Sequence, residues 1–186
     1  MTLASNSGCV LLIDEIYCDL VFKGQHVSPI NKCLSENVVV CRGFSKTLST
    51  QSWRVAYLIS HPTLVSQIMR VHDPIYICTP FLQHSIGKYL TEDFEDFKQH
   101  IQQLTQLMQR NFAILKPALE KALGWQAIEP SGSMYAMFRH NAKNDMAAVL
   151  EGLVRGVGVG KLRSKVVRIG LTDLIGFYLS ECFFFV

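Results

Sequence analysis

The sequence predicts an α/β fold, on three observations. Short apolar runs at Val10–Ile13, Val38–Cys41 and Val55–Ile59 each end in polar residues. From Phe94 to Leu119, apolar side chains recur at steps of three or four. Beyond about residue 94 the composition suits a smaller α+β layer.

Val10-Leu11-Leu12-Ile13, closed by Asp14-Glu15, reads as a buried parallel strand that delivers a carboxylate at its C-terminal edge. Its composition is that of an interior strand, so an exposed apolar face is expected on this 186-residue chain, whose two ends both look cut from something larger. Val38–Cys41 leads into Arg42-Gly43-Phe44-Ser45-Lys46, and Val55–Ile59 is closed by His61-Pro62. The link between those two runs is short for a helix, so they need not form a βαβ unit.

Pro62 to His72 reads as a helix with proline in its first turn, and Phe81 to Leu90 as another. In the long stripe that follows, Pro117 should kink or divide the helix, and Gly124 is a natural stop. Pro130-Ser131-Gly132-Ser133 is a turn into a strand over Met134–Phe138. Asn144 caps a helix through Leu153, and Val166–Leu171 is a final strand. His72-Asp73-Pro74 reads as a helix end, and Tyr135 and Met137 as packing residues. Phe183-Phe184-Phe185 reads as aggregation-prone.

Composition excludes several classes. The chain is 49% hydrophobic and 18% charged, too apolar for a disordered segment. Lys and Arg number 18 against 15 Asp and Glu, a small, unclustered surplus that points to no nucleic-acid partner and leaves room only for a local patch. There is no 18-residue apolar run, so no membrane span is expected. Met1–Gly8 lacks the basic start and apolar stretch of a secretory leader. The six cysteines, Cys9, Cys18, Cys33, Cys41, Cys78 and Cys182, show no CxxC spacing. No metal site is expected; the thiols read as small core residues in a reduced, cytoplasmic setting.

Two clusters carry chemistry. Asp14-Glu15 at a strand end suits either magnesium beside a phosphate loop or a cationic ring nitrogen on a cofactor; plain capping and solvation is the bland alternative. No GxxxxGK[ST] loop exists to support the first, which argues against an ATP-binding domain. Lys46 follows a buried strand, with Arg54 eight residues on. A lysine held against an apolar interior serves as an amine nucleophile, while Ser45 and Arg54 suit a phosphate.

Asp14-Glu15-Ile16-Tyr17, Gly43-Phe44-Ser45-Lys46 and Trp53-Arg54-Val55-Ala56-Tyr57 together resemble the core of the fold-type I pyridoxal-phosphate enzymes, specifically the class I/II aminotransferases. Pro130–Tyr135 is similar to that family's small-domain turn and strand, and Arg168 in Val167-Arg168-Ile169 to its substrate-carboxylate arginine. The resemblance implies pyridoxal 5′-phosphate as cofactor and an amino acid and a 2-oxo acid as substrates. It assigns Asp14 to the pyridine nitrogen, Tyr17 to the phenolic oxygen, Lys46 to the covalent attachment, Ser45 and Arg54 to the phosphate and Arg168 to the substrate. It also implies a homodimer in the intact form.

The implied fold is the latter part of a pyridoxal-phosphate transferase large domain, a mostly parallel sheet, over residues 1–92. Residues 93–186 would supply a long linking helix and a small α+β domain truncated at its end. The resemblance spans nearly the whole chain but only the C-terminal half of a family member, so the chain alone is not expected to transaminate. A pyridoxal-phosphate lyase, or a truncated non-catalytic paralogue or partner subunit, is the alternative. Three departures stand out: Gly43 where many members carry Ser, Ser52 where they carry Gly, and Thr50 in a usually apolar place. The family's Pro-Gly loop is also absent between Gly160 and Arg168.

Overall fold

In the computed structural model, which describes residues 6–31, 35–75, 79–154, 159–163 and 166–171, the apolar runs become strands. β1 (Leu11–Asp14) and β2 (Val38–Gly43) pair in parallel, with Asp14 opposite Cys41. β3 (Ala56–Ser60) returns antiparallel to β2, with Gly43 opposite Ala56. The chain thus reverses between β2 and β3 without a crossover. Helices α1 (Pro62–Ile75), α2 (Pro80–Glu92) and α3 (Phe94–Leu123) follow. Then come β4 (Gln126–Ile128), β5 (Tyr135–Arg139), α4 (Asp145–Val154), β6 (Val159–Arg163) and β7 (Val166–Gly170).

The architecture is mixed α/β, as expected. The first sheet has the order β1-β2-β3, with one parallel and one antiparallel pairing; the second is wholly antiparallel, β4-β5-β7-β6. Two compact units result: Met1–Asp19 with Gln25–Ile101, and Leu20–Gly24 with Gln102–Val186. Helix α3 contributes its first two turns to the former and the remainder to the latter.

Val38, Val39, Val40, Val55 and Ile86 are buried in the first unit. At the edge of its sheet, Val10 and Leu12 are 57% and 66% exposed, and Ile75 and Phe81 also face solvent. This is apolar surface of the kind expected beside an interior-type strand. The thiols depart from expectation. Cys9 is exposed and Cys18 half-buried, since they lie in the chain flanking β1, and Cys41 is only half-buried although it is paired on both sides within β2; Cys33, Cys78 and Cys182 lie outside the described residues. Burial, joined by the neighbouring Asp19, pushes the Cys18 thiol up to about 11, so it is no thiolate nucleophile at neutral pH.

In the second unit, Met108, Phe112, Leu115, Leu119 and Leu123 form the buried face of α3. Trp125, Phe138, Ile169 and Leu171 complete the core. Pro117 neither ends nor divides the helix. Pro117 and Ala113, whose carbonyl loses its amide partner, both lie on the exposed side, so that carbonyl is left on the solvent face while the apolar face stays continuous. Gly124 stops the helix in a left-handed conformation (φ 64°), its N–H bonded to the Glu120 carbonyl. The Asn144 side chain accepts from the Ala147 N–H at 2.8 Å and caps α4.

The Pro130–Ser133 turn is clamped onto an earlier strip of chain. Ser133 N–H donates to the Leu20 carbonyl at 2.8 Å and Phe22 N–H to the Ser131 carbonyl at 2.8 Å. A Cβ on Gly132 would land on the Leu20 carbonyl oxygen and lie 3.2 Å from the Val21 Cα. All the atoms met are backbone, so nothing soft is there to yield. Gly132→Ala is therefore expected to lower the unfolding free energy by about 1–3 kcal/mol. Urea denaturation checks this, and an unchanged midpoint would show that the turn yields freely. The expected tail Phe177–Val186, with Gly156 and Gly158, lies outside the described residues.

Candidate active site

Because β1 and β2 run in parallel, their C-terminal ends share one edge of the sheet, where ligands gather in open α/β folds. Asp14 ends β1 with its side chain exposed, and its Oδ1 accepts from the Ile16 N–H at 3.1 Å. The Cys18 N–H closes the same turn on the Glu15 carbonyl at 3.0 Å, with half-buried Tyr17 inside it. Ser45 and Lys46 occupy the turn just past β2, and Arg54 stands two residues before β3. Asp14, Tyr17, Ser45, Lys46 and Arg54 therefore all belong to one edge of the first unit.

The loop between β2 and β3 is tied at several points. Phe44 N–H donates to the Val55 carbonyl across its mouth. The Phe44 carbonyl accepts from Leu48 N–H at 2.9 Å and from the Thr50 hydroxyl at 3.1 Å. With its amide nitrogen turned toward the carbonyls of Ser45 and Ser49, the Gln51 side chain donates to both, at 3.2 and 3.0 Å. His100 Nε2 lies 2.8 Å from the Thr47 carbonyl, an acceptor only, so this nitrogen carries the proton. Arg54 is left-handed (φ 56°, ψ 35°), and its guanidinium donates to the Gln51 carbonyl at 3.0 Å. Ser49 is left-handed as well (φ 55°). Such conformations cost a non-glycine residue on the order of 1 kcal/mol and gather at functional loops.

The three departures acquire physical content here. A Cβ at Gly43 would meet Ile16 Cδ1 at 3.0 Å and Ala56 Cβ at 3.1 Å, so glycine lets the Asp14–Tyr17 turn settle on the end of β2. Ser52 sits in the short 3-10 turn Gln51–Trp53 and is not among the residues with positive φ, so it brings no strain. Thr50 supplies the hydroxyl brace just described.

Alternation along β1 separates the two neighbouring carboxylates: Asp14 points outward and Glu15 inward, 4% exposed. Arg42 Nε and NH2 donate to Glu15 Oε2 at 3.0 and 2.8 Å, and His26 Nε2 lies 3.1 Å from Oε1. Burial pushes the Glu15 carboxyl up, but the Ser28 hydroxyl, Arg42 and His26 outweigh it and hold the group below its ordinary 4.5. A carboxyl depressed in the folded state contributes stability that is present above pH 4.5 and lost as pH falls through the folded value. Glu15→Gln is expected to lose about 1.5–3 kcal/mol at neutral pH. Its stability should also fall less steeply than that of the wild type below pH 4.5. Parallel acid limbs in denaturant titrations would remove Glu15 as their source.

Arg168 belongs to the second unit, on β7 opposite Met137, with its guanidinium carbon 4.3 Å above the Tyr135 ring. His72 and Asp73 lie within α1, which runs on through Pro74 to Ile75. Sequence reasoning did not find the Arg42 and His26 partners of Glu15, nor His100. Register held a clue to the first: with Asp14 opposite Cys41, Glu15 falls beside Arg42. Nothing local connects His100 to Thr47, 53 residues earlier.

An amine, a carboxylate, a phenol, hydroxyls and a guanidinium at one sheet edge fit a phosphorylated, cationic-ring aldehyde such as pyridoxal 5′-phosphate. Among the described residues no group of His, Cys, Asp and Glu could hold a metal ion. No helix among them is long and apolar enough to cross a membrane.

The fold is that of part of a fold-type I pyridoxal-phosphate transferase. The aminotransferase class I and II family model matches residues 1–170, and the chain belongs to that family, within the pyridoxal-phosphate-dependent aminotransferase superfamily. It is 25% identical over 173 residues to the (5-formylfuran-3-yl)methyl phosphate transaminase of Methanocaldococcus jannaschii, covering 88% of this chain and 45% of the relative. It is 29% identical over 160 residues to the aspartate aminotransferase of Thermococcus kodakarensis, covering 86% and 41%. The structure of Thermus thermophilus aspartate aminotransferase with maleate superimposes with a TM-score of 0.82 at 22% identity, over 93% of this chain and 47% of that one. The chain thus spans less than half the length of the curated relatives it matches.

Proposed function

We propose that this chain is the lysine-bearing half of an aminotransferase that moves an amino group from an amino acid to a 2-oxo acid using pyridoxal 5′-phosphate. The observation that carries it is the braced β2–β3 loop, which presents Ser45, Lys46 and Arg54 beside the Asp14 end of β1.

Bound there, the cofactor supplies an electron sink for the pair released at the substrate Cα. The Asp14 carboxylate holds the ring nitrogen in its protonated form by charge. The Tyr17 hydroxyl hydrogen-bonds the phenolic oxygen. Lys46 would be the point of covalent attachment, and its Nζ would serve as the base that takes the proton from the substrate Cα and hands it on to the cofactor carbon. The Ser45 hydroxyl and the Arg54 fork hold the phosphate, and Arg168 grips the substrate carboxylate. A second copy of the intact protein completes the site in this reading, and the cytoplasm is its setting.

Adding pyridoxal 5′-phosphate to the 186-residue chain, with borohydride reduction and peptide mapping, tests the reading. A visible absorption band and a reduced adduct on Lys46 are expected. Labels spread evenly over the lysines would overturn the assignment.

A further inference from the structure

The proposed chemistry leaves unused an ionic cluster built on buried Glu15, with half-buried Arg42 and exposed His26 beside it. Its place is telling. Glu15 is the first residue after β1 and the first of the turn that holds Tyr17, while Arg42 lies four residues before Lys46. Glu15 N–H continues the ladder to the Cys41 carbonyl at 2.8 Å. Arg42 then grips the side chain through two nitrogens at 3.0 and 2.8 Å, and Ile16 packs where a Cβ on Gly43 would stand. Three fastenings of different kinds thus join the Asp14–Tyr17 turn to the last residues of β2. Both guanidinium nitrogens converge on the one oxygen Oε2, a charge-assisted contact that ties this side chain to β2.

A buried ion pair is a poor source of net stability, because desolvation offsets most of its attraction. Fixing geometry is the better explanation for placing one here. We propose that Glu15 and Arg42 are positioning residues: their ion pair locks the Asp14–Tyr17 turn to the strand that feeds Lys46, so that the carboxylate, the phenol and the amine keep one arrangement. This rests on the assignment of Lys46 made above.

The test uses the full chain, pyridoxal 5′-phosphate as the probe, and borohydride trapping with a count of label on each lysine. In the wild type, Lys46 is expected to take label ahead of the other lysines. In Glu15→Gln the rate at Lys46 is expected to fall about tenfold while the other lysines are unaffected. Because that variant leaves Arg42 without its counter-charge, Glu15→Gln/Arg42→Met is measured beside it; it removes both charges and leaves no orphaned ion. Circular dichroism and a thermal midpoint near that of the wild type identify it as folded. A merely structural pair would give wild-type labelling of Lys46 in the folded double variant. Positioning gives the same loss of about tenfold, despite the intact fold. Wild-type selectivity there, or an equal fall at every lysine, overturns the positioning role and leaves Lys46 standing. No preference for Lys46 in the wild type overturns the Lys46 assignment and the positioning role together.

Discussion

Lys46→Ala is expected to abolish the borohydride-trapped label in its peptide and the visible band with it, while the folded fraction stays at the wild-type level. The large effect follows from chemistry: only an amine condenses with the cofactor's aldehyde, and alanine offers none. The small effect on folding follows from structure. Lys46 is half-buried in a turn that is also tied through its neighbours: Phe44 to Val55, Thr50 to Phe44, and His100 to Thr47. Those ties remain in the variant. Spectra before and after borohydride, with circular dichroism on the same samples, check both halves. A variant that keeps the band places the attachment on another lysine.

Phe138→Ala is expected to cost about 3–5 kcal/mol, the largest effect on stability of any substitution considered. Phe138 has no exposed surface, sits in β5 between Ala127 and Val167, and its ring centroid lies 6.4 Å from that of Phe112 and 6.5 Å from that of Trp125. Truncation opens a cavity that strands on both sides keep from closing. Urea unfolding followed by tryptophan fluorescence should show a lower midpoint with an unchanged slope. A loss below about 1 kcal/mol would mean that the neighbouring rings collapse into the space.

Much of this was legible from the residues, for identifiable reasons. Val38-Val39-Val40 has no helical period and is bounded by polar groups, so its strand shows at once, and β2 includes it. The α3 stripe is long enough for its period to outweigh the proline, and only the placement of Pro117 on the wet side kept the helix whole. β4 and β6 escaped notice. Three residues, Gln126–Ile128, are too few to show a period of two, and Gly160 interrupts the alternation in β6. Asp14, Lys46 and Arg54 stood out because they flank apolar runs. In the sequence Glu15 is only a second carboxylate, since its inward direction appears when β1 gains a neighbour in register.

The direct reversal from β2 to β3 has a mechanical consequence. Ser45, Lys46 and Arg54 do not belong to separate elements brought together by packing; they ride on one stretch of chain, shut at its mouth by the Phe44–Val55 bond. Such a stretch opens as one piece or stays closed as one piece. Amide exchange at Leu48 and Trp53, whose N–H groups bond within the loop, should then report a common opening rate. Attachment point and phosphate grip would be gained and lost in the same event, leaving no state in which the chain holds one without the other.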